Sequence, residues 1–447
     1  MKSEMMEISS LLLQGPLSAA ALMSRSGVSQ ATLSRYLSAR PQVLKFGRAR
    51  ATRYALLRAV RQKSMFPLWR IDEQGQAQLA GRLYSTWPAG SCLVEDSEGS
   101  CQHFDGLPWY LSDMRPQGFL GRAWGRECAL QLALPEDIRQ WNEDHCLSAL
   151  TERGSDIAGN WLMGEQSYQQ WLRQPVPKPV SLQEKPLLYP LLAQRVLNGE
   201  DIGSSAGGEQ PKFACYAEQA DGGSAHLLVK FTPPPRNQNS QRWCDLLRAE
   251  ALALQLMAEH GLAAARAAIF TVPDGQTFLE VARFDRLADR GRRGVVSLEA
   301  VQAEFTGTQA RWPQALQNLA LQKLISAEDA ARGTLQWAFG RLIANGDMHS
   351  GNLAFFHEAS GLRLTPAYDM LPMSFAPDSS GHMREAPPLI EPDASVSREV
   401  WLTALAMAQQ YWQAIATGSD WSGNFRQVAV NMQQALAVLK PHIDRMA

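Results

Sequence analysis

The sequence predicts an α+β protein, a small basic head of helices and a hairpin followed by a larger two-lobed body of mixed strands and helices. Three observations carry that expectation. Residues 1–63 hold eleven Lys or Arg against two acids, while the whole chain of 447 residues has a net charge of −1, so the remainder is acidic. Strand-like alternation and helix-like stretches succeed one another through the second half. A segment rich in acid and amide groups, Asn345-Gly346-Asp347-Met348-His349-Ser350-Gly351-Asn352, directly follows a helical stretch at 327–343.

Length and composition bound the answer. The chain is long enough for two to four domains, and the shifts in composition place boundaries at 1–63, 64–180 and 181–447. Hydrophobic content of 45% with 19% charged residues fits an ordinary globular chain. No run of eighteen apolar residues exists, so no membrane span is expected. Met1 to Glu7 carries acids and lacks a signal peptide's apolar core, which makes the cytoplasm the expected location. The six cysteines, at 92, 101, 128, 146, 215 and 244, form no Cys-x-x-Cys pair and read as reduced thiols rather than zinc ligands.

In the head, Glu7 to Leu13 reads as a short helix ended by Gln14-Gly15-Pro16. Ser18 caps a second helix, Ala19 to Arg25; Gly27 supplies a turn, and Ser29 caps a third helix through Ser38. Helix, tight turn, helix is the helix-turn-helix arrangement. Ser29, Gln30, Thr32, Ser34 and Arg35 then offer short polar groups and a cation to a major groove. Val43 to Phe46 and Thr52 to Leu56 read as strands joined by the basic loop Gly47-Arg48-Ala49-Arg50-Ala51. Such a hairpin resembles the wing of winged-helix DNA-binding domains, with Arg48 and Arg50 placed to meet phosphates.

The middle segment holds no catalytic cluster. Arg82 to Trp87 and Ser91 to Glu95 alternate like strands, Ala129 to Leu134 and Gln166 to Leu172 read as helices, and Pro175 to Pro179 reads as a linker or extended connection.

The chemistry lies beyond residue 200. Gly203 to Phe213 is a Gly/Ser-rich loop running into a strand; its glycines let backbone N–H groups approach phosphate, and Lys212 adds charge. Ala225 to Phe231 is an apolar strand whose one lysine, Lys230, is costly to bury without an anion. Glu250, in a helix over Trp243 to His260, is the natural partner. Thr277 to Arg286 reads as a further strand, positioned as a hinge that meets adenine, with Phe284 free to pack on the ring.

Asp347 precedes Asn352 with the Asp-x-x-x-x-Asn spacing of a kinase catalytic loop. A carboxylate must accept the proton of the attacking hydroxyl, and an amide oxygen holds magnesium without excess negative charge. Asp369, after the strand Leu353 to Phe356, supplies a second metal ligand. His349 supports the loop through hydrogen bonds, since imidazole is a poor magnesium ligand. These features together point to ATP- and magnesium-dependent phosphotransfer.

The same residues resemble the HipA-like serine/threonine kinases of bacterial toxin–antitoxin systems. The matching pieces are Ser204 to Lys212, Val229-Lys230-Phe231, Arg283-Phe284-Asp285-Arg286, Asn345 to Asn352 and Pro366 to Pro372. Looser matches upstream are Leu107 to Arg122 and Gly154 to Gly159. The resemblance spans roughly 65–440, leaving the winged helix outside it, and the whole layout is similar to the YjjJ-type branch that carries such a head.

It implies a two-lobed HipA/protein-kinase-like fold. ATP would be bound by Ser204, Ser205, Ala206, Gly207, Gly208, Lys212, Lys230, Arg283, Phe284, His349, Asn352 and Asp369. It also implies a protein serine as acceptor, in the founding case on an aminoacyl-tRNA synthetase, and autophosphorylation in the Gly/Ser loop, here at Ser204 or Ser205. Members commonly act with a DNA-binding antitoxin. Ala282 stands where the family has a glutamate. Two rival readings remain open: a DNA-binding regulator whose kinase lobe only senses nucleotide, and a small-molecule kinase of the aminoglycoside type.

Overall fold

A computed structural model describes residues 8–198 and 210–446. The head comprises helix α1 (8–12), strand β1 (Leu17–Ser18), helices α2 (Ala19–Ser26) and α3 (Gln30–Ser38), and strands β2 (Val43–Phe46) and β3 (Arg53–Leu56). The predicted caps are present. Ser18 Oγ accepts from the Ala21 N–H at 3.2 Å, and Ser29 Oγ from the Thr32 N–H at 3.3 Å. Gly27 turns the chain at φ +69°, in the left-handed region a Cβ would oppose. Ile8, Leu12, Leu22, Leu33 and Tyr36 form the core of the head. Strand β1 is too short for a sequence signal; it extends the hairpin to the order β1-β3-β2.

The head is fastened to the body. Phe46 and Ala55 of the hairpin bury against Leu93 of the middle domain. Arg58 pairs bidentately with Asp144 and donates to the Thr86 carbonyl at 3.2 Å.

The middle domain is an antiparallel sheet of β4 (Met65–Ile71), β5 (Ala77–Ser85), β6 (Cys92–Asp96), β7 (Cys101–Phe104) and β8 (Trp161–Met163), ordered β7-β6-β5-β4-β8. Helices α4 (Gly118–Leu132), α5 (Glu143–Arg153) and α6 (Glu165–Arg173) accompany it, with Trp124, Leu147 and Leu150 in its core. The predicted helix at 129–134 is only the last turn of α4. Its earlier turns escape a pattern search because Gly118, Gly121 and Gly125 interrupt the apolar stripe. The proline run is an extended connection, and Val180 pairs with Tyr216 and Glu218 at the edge of the next sheet.

The smaller lobe of the body holds α7 (Lys185–Leu197), β9 (Lys212–Glu218), β10 (Ser224–Phe231), α8 (Gln238–Glu259), β11 (Ala267–Thr271) and β12 (Thr277–Ala282). Its antiparallel sheet runs β11-β12-β10-β9. Helix α8 begins five residues before the predicted start because Asn237 and Ser240 form a capping box.

The larger lobe follows through β13 (Arg286–Leu287), β14 (Gly291–Arg292), β15 (Val295–Ser297), α9 (Leu298–Phe305), α10 (Trp312–Leu321) and α11 (Ala327–Leu342). It is completed by β16 (Ala354–Glu358), β17 (Gly361–Leu364), α12 (Arg398–Thr417) and α13 (Gly423–Asp444). Its core is built on Trp337, Phe339, Trp401, Tyr411, Trp412 and Phe425. Among the described residues, no helix is long and apolar enough to cross a membrane.

The strand predicted over Thr277 to Arg286 ends at Ala282. There Arg283 folds onto Asp285, donating from Nε at 2.9 Å and Nη2 at 2.8 Å, and this turn takes the chain out of the ladder. Asp285 also accepts from Arg286 at 2.8 Å and from the Gly159 N–H at 3.0 Å. Arg286 reaches the carbonyls of Gly159 and Ile157 at 2.9 and 2.7 Å, so the turn after β12 and the middle domain share one buried ionic cluster.

Burial acts to raise the Asp285 carboxyl, but the charges of Arg283 and Arg286 outweigh it and hold it far below the ordinary range. Its contribution to stability is therefore intact above about pH 4 and lost as pH falls further, through its depressed folded value. Asp285→Asn, which removes the carboxylate that Arg283 and Arg286 share and leaves Arg286 only its 2.8 Å pair with Asp156, should cost about 3 kcal/mol in thermal or denaturant unfolding at pH 7. The deficit should narrow below pH 4; an equal midpoint at pH 7 would contradict this account.

Candidate active site

Strand β10 carries Lys230 into the cleft between the lobes, where its ammonium donates to both Glu250 carboxylate oxygens at 2.7 Å and to Asp369. Glu250 is fully buried on α8. That helix is held to the larger lobe at its N-terminal end. Arg242 donates to the Phe375 carbonyl at 2.8 Å, and Asp245 accepts from Ser422 N–H at 3.1 Å. The pairing of Lys230 with Glu250 is the one expected from the sequence.

Burial and charge oppose each other at these groups. Burial acts to lower the Lys230 pKa, yet Asp369 and Glu250 outweigh it and raise it above the usual lysine value. Burial dominates at Glu250, whose carboxyl is raised despite Lys230. At Asp369 enclosure acts to raise the carboxyl, but Lys230 and then Lys212 hold it below its ordinary value.

The loop 345–352 leaves α11 through close packing. A Cβ on Gly340 would lie 2.5 Å from Met348 Sδ, so glycine permits the loop to fold against the helix. Asn345, buried, accepts from the Asp347 N–H at 3.1 Å and donates to the Asp369 carbonyl at 3.3 Å. It ties the two acids' backbones together, a role the sequence reading did not assign. Asn352 Nδ2 donates to the Asp347 carbonyl at 2.7 Å, which leaves its amide oxygen for another partner. His349 Nδ1 accepts from the Gly351 N–H at 3.0 Å, the loop-supporting role expected of it. Asp347 itself is 57% exposed, its carboxylate open to an incoming group. Asp369 adopts a left-handed backbone, φ +51°, a strained conformation of the kind found where function demands it.

One cavity of about 230 Å³ joins Lys230, Glu250, His349, Asn352 and Asp369, while Asp347 and Asn345 are not in its lining. Leu228, Val281, Ala282 and Ala354 supply apolar wall, and Lys212, Lys230, His349, Asn352 and Asp369 supply polar wall. Phe284 lines it and packs edge-to-face on Phe356, with centroids 5.8 Å apart. Arg283 lines it too, with Nε and Nη2 donating to Asp285, so only Nη1 remains for the expected ATP contact. Ser204, Ser205, Ala206, Gly207 and Gly208 lie outside the described residues. Asp113, Arg115, Gln117 and Ala158 of the middle domain also line the cavity, which no local pattern announced.

This lining suits a magnesium nucleotide. An apolar slot accepts a planar base, buried lysines accept phosphate, and a free amide oxygen beside an ionised carboxylate accepts a hard cation.

The proposed DNA face lies apart from this cleft. Ser29, Gln30, Arg35, Arg48 and Arg50 are exposed, while Thr32 is half-buried with its hydroxyl 3.1 Å from Ser29 Oγ.

Family models match two parts of the chain: the YjjJ-like toxin middle domain over residues 62–172, and the HipA-like C-terminal domain over 204–439. Toxin YjjJ of Escherichia coli K12 is 48% identical over 442 residues, covering 99% of this chain and all of that protein. The HipA complex with HipB and operator DNA from Shewanella oneidensis MR-1 has the same fold at a TM-score of 0.52 and 16% identity. The match covers 85% of this chain and 99% of that one. A fainter overlap, TM-score 0.38 at 13% identity, is with the Helicobacter pylori proinflammatory kinase CtkA, over 54% of this chain and 94% of that one. Matched along its length by a YjjJ toxin and through more than half of it by the HipA-like domain, the chain belongs to the HipA-like toxins, in their YjjJ-type branch.

Proposed function

We propose that this protein is an ATP- and magnesium-dependent serine/threonine protein kinase of the HipA type, acting in the cytoplasm and addressed to DNA by its winged-helix head. The observation that carries this reading is the gathering of Lys230, Glu250, Asp369 and Asn352 around one cavity, with Asp347 exposed on the loop that Asn352 closes.

Bound ATP supplies the transferable phosphoryl group, and magnesium neutralises its charge. Lys230, kept protonated by its two carboxylates, grips phosphate oxygens, and Lys212 reinforces it. Asn352 and Asp369 would hold the metal. Asp347 orients a serine or threonine hydroxyl of the acceptor and takes its proton. The walls around Phe284 exclude water from the base. A serine of the Gly/Ser segment, Ser204 or Ser205, is the proposed autophosphorylation site. An aminoacyl-tRNA synthetase is the acceptor class implied by the family, and an antitoxin partner is proposed on the same ground.

Incubating the purified protein with labelled ATP and cell lysate tests the reading. Label in protein bands that vanishes with Asp347→Asn supports it, label in small metabolites redirects it, and no transfer despite ATP binding leaves a nucleotide sensor. Self-label lost in the Ser204→Ala/Ser205→Ala variant would locate the modification.

For the head, Arg48→Ala and Arg50→Ala should each weaken DNA binding and flatten the dependence of log affinity on log salt by about 1. Unchanged slopes in the double variant, by fluorescence anisotropy from low to moderate salt, would remove the wing from the interface.

A further inference from the structure

A short stretch of the middle domain crosses the mouth of the cleft and touches both lobes. At its start Trp109 packs on Phe305 of α9, ring centroids 5.1 Å apart. Asp113 then accepts from Ser297, from the N–H at 2.6 Å and from Oγ at 2.8 Å, at the cap of α9. At its end Phe119 packs into the core of the smaller lobe, around Phe213 and Phe231. Between these anchors Arg115 and Gln117 line the same cavity as Lys230, Asn352 and Asp369.

Arg115 is only partly used by the fold. Its Nη2 donates to Glu143 at 2.6 Å, while its Nε is buried with no hydrogen-bond partner among the described residues. That nitrogen is closed to solvent, but the guanidinium end, on a side chain 36% exposed, lies on the cavity wall and keeps N–H groups for a ligand. The Gln117 amide, exposed at the N-terminal end of α4, hydrogen-bonds to no other described side chain or backbone group. The neighbouring polar wall includes Glu299, suited to a sugar hydroxyl, and the lysines suited to phosphate.

We infer that Arg115 and Gln117 are nucleotide-binding residues lent to the kinase cleft by the middle domain, meeting the triphosphate part of ATP. The middle domain is then a third wall of the active site and not only a spacer between head and kinase. Because its crossing stretch is anchored to both lobes, it also fixes their separation around the nucleotide. The inference rests on the kinase reading above.

The test compares ATP with adenosine as ligands for the full chain by calorimetry in magnesium buffer. Arg115→Ala should weaken ATP about tenfold or more and leave adenosine unchanged, the loss of one charge-assisted donor. Arg115→Lys should keep part of the preference, and Gln117→Ala should lose about threefold for ATP. Glu143→Gln, which removes the ion pair but keeps the guanidinium, should retain the ATP preference. Equal losses for ATP and adenosine, or a loss in Glu143→Gln as large as in Arg115→Ala, would show that the stretch acts only on the fold. If Arg115→Ala fails to fold, undiminished ATP binding in both Arg115→Lys and Gln117→Ala overturns the inference. A wild-type protein that binds no ATP would sink the kinase reading and this inference with it, a result distinct from either loss pattern.

Discussion

Asp347→Asn should lower the phosphotransfer rate by about 10²–10⁴-fold, with magnesium–ATP affinity and unfolding midpoint close to wild type. The magnitude is that of a positioned base, since the amide keeps the shape of the carboxylate but cannot accept the hydroxyl proton. The selectivity follows from the contacts. The loop is held by the Asp347 backbone, whose N–H donates to Asn345 and whose carbonyl accepts from Asn352 at 2.7 Å, and neither bond involves the replaced atoms. With its side chain 57% exposed, Asp347 contributes little to packing, and a surface change of this kind stays within about 0.5 kcal/mol. Single-turnover phosphotransfer alongside calorimetric ATP binding separates the two quantities. An undiminished rate would remove Asp347 from the chemistry.

Lys230→Met should have the larger structural effect, a loss of about 3–5 kcal/mol at neutral pH together with loss of ATP binding. Glu250 is fully buried, and Lys230 is its ionic partner at 2.7 Å. Removing the ammonium leaves that carboxylate beside Asp369, two like charges without their shared cation. The pH dependence has a definite sign. Burial already raises the Glu250 carboxyl, so any remaining charge is a cost that protonation removes. The variant's deficit should be largest at neutral pH and shrink as pH falls toward the ordinary glutamate value. Lys230→Met/Glu250→Leu should recover much of the stability without recovering ATP binding, because an apolar pair can replace a buried ion pair in packing but not in function. A double variant as unstable as the single one would mean that the ion pair is not the origin of the loss.

The residues of the candidate site were legible in the sequence because each depends on short-range spacing or a local conflict. Asp347 and Asn352 lie on one loop, so their separation in the chain is close to a geometric constraint. Lys230 stood out as a cation in an apolar strand, an arrangement that makes sense only if an anion waits nearby, and Glu250 is that anion. Ser18, Gly27 and Ser29 announced the helices of the head through caps and a left-handed turn, which are likewise local. The family resemblance rests on the segments around Lys230 and Asp347 to Asp369 and not on the head, and its expected fold is the one observed.

Other features had no local signature. The family resemblance implied Arg283 as a nucleotide contact, but Asp285, two residues away, takes its Nε and Nη2. Asn345 is an ordinary buried amide until the loop and Asp369 are brought to either side of it. Arg115 and Gln117 sit more than a hundred residues from Lys230 in a segment with no catalytic pattern, and they reach the cleft only because Asp113 and Phe119 dock on opposite lobes. The sequence by itself determined the α+β class, the helix-turn-helix spacing and the acid–amide–acid set, since helix caps, turns and catalytic loops are short-range objects. Only the tertiary structure decided which arginines are spent on the fold, and that the middle domain walls the cleft. Those outcomes depend on contacts between distant segments, such as Arg286 with Gly159 and Asp113 with Ser297, which long-range packing creates and no residue spacing encodes.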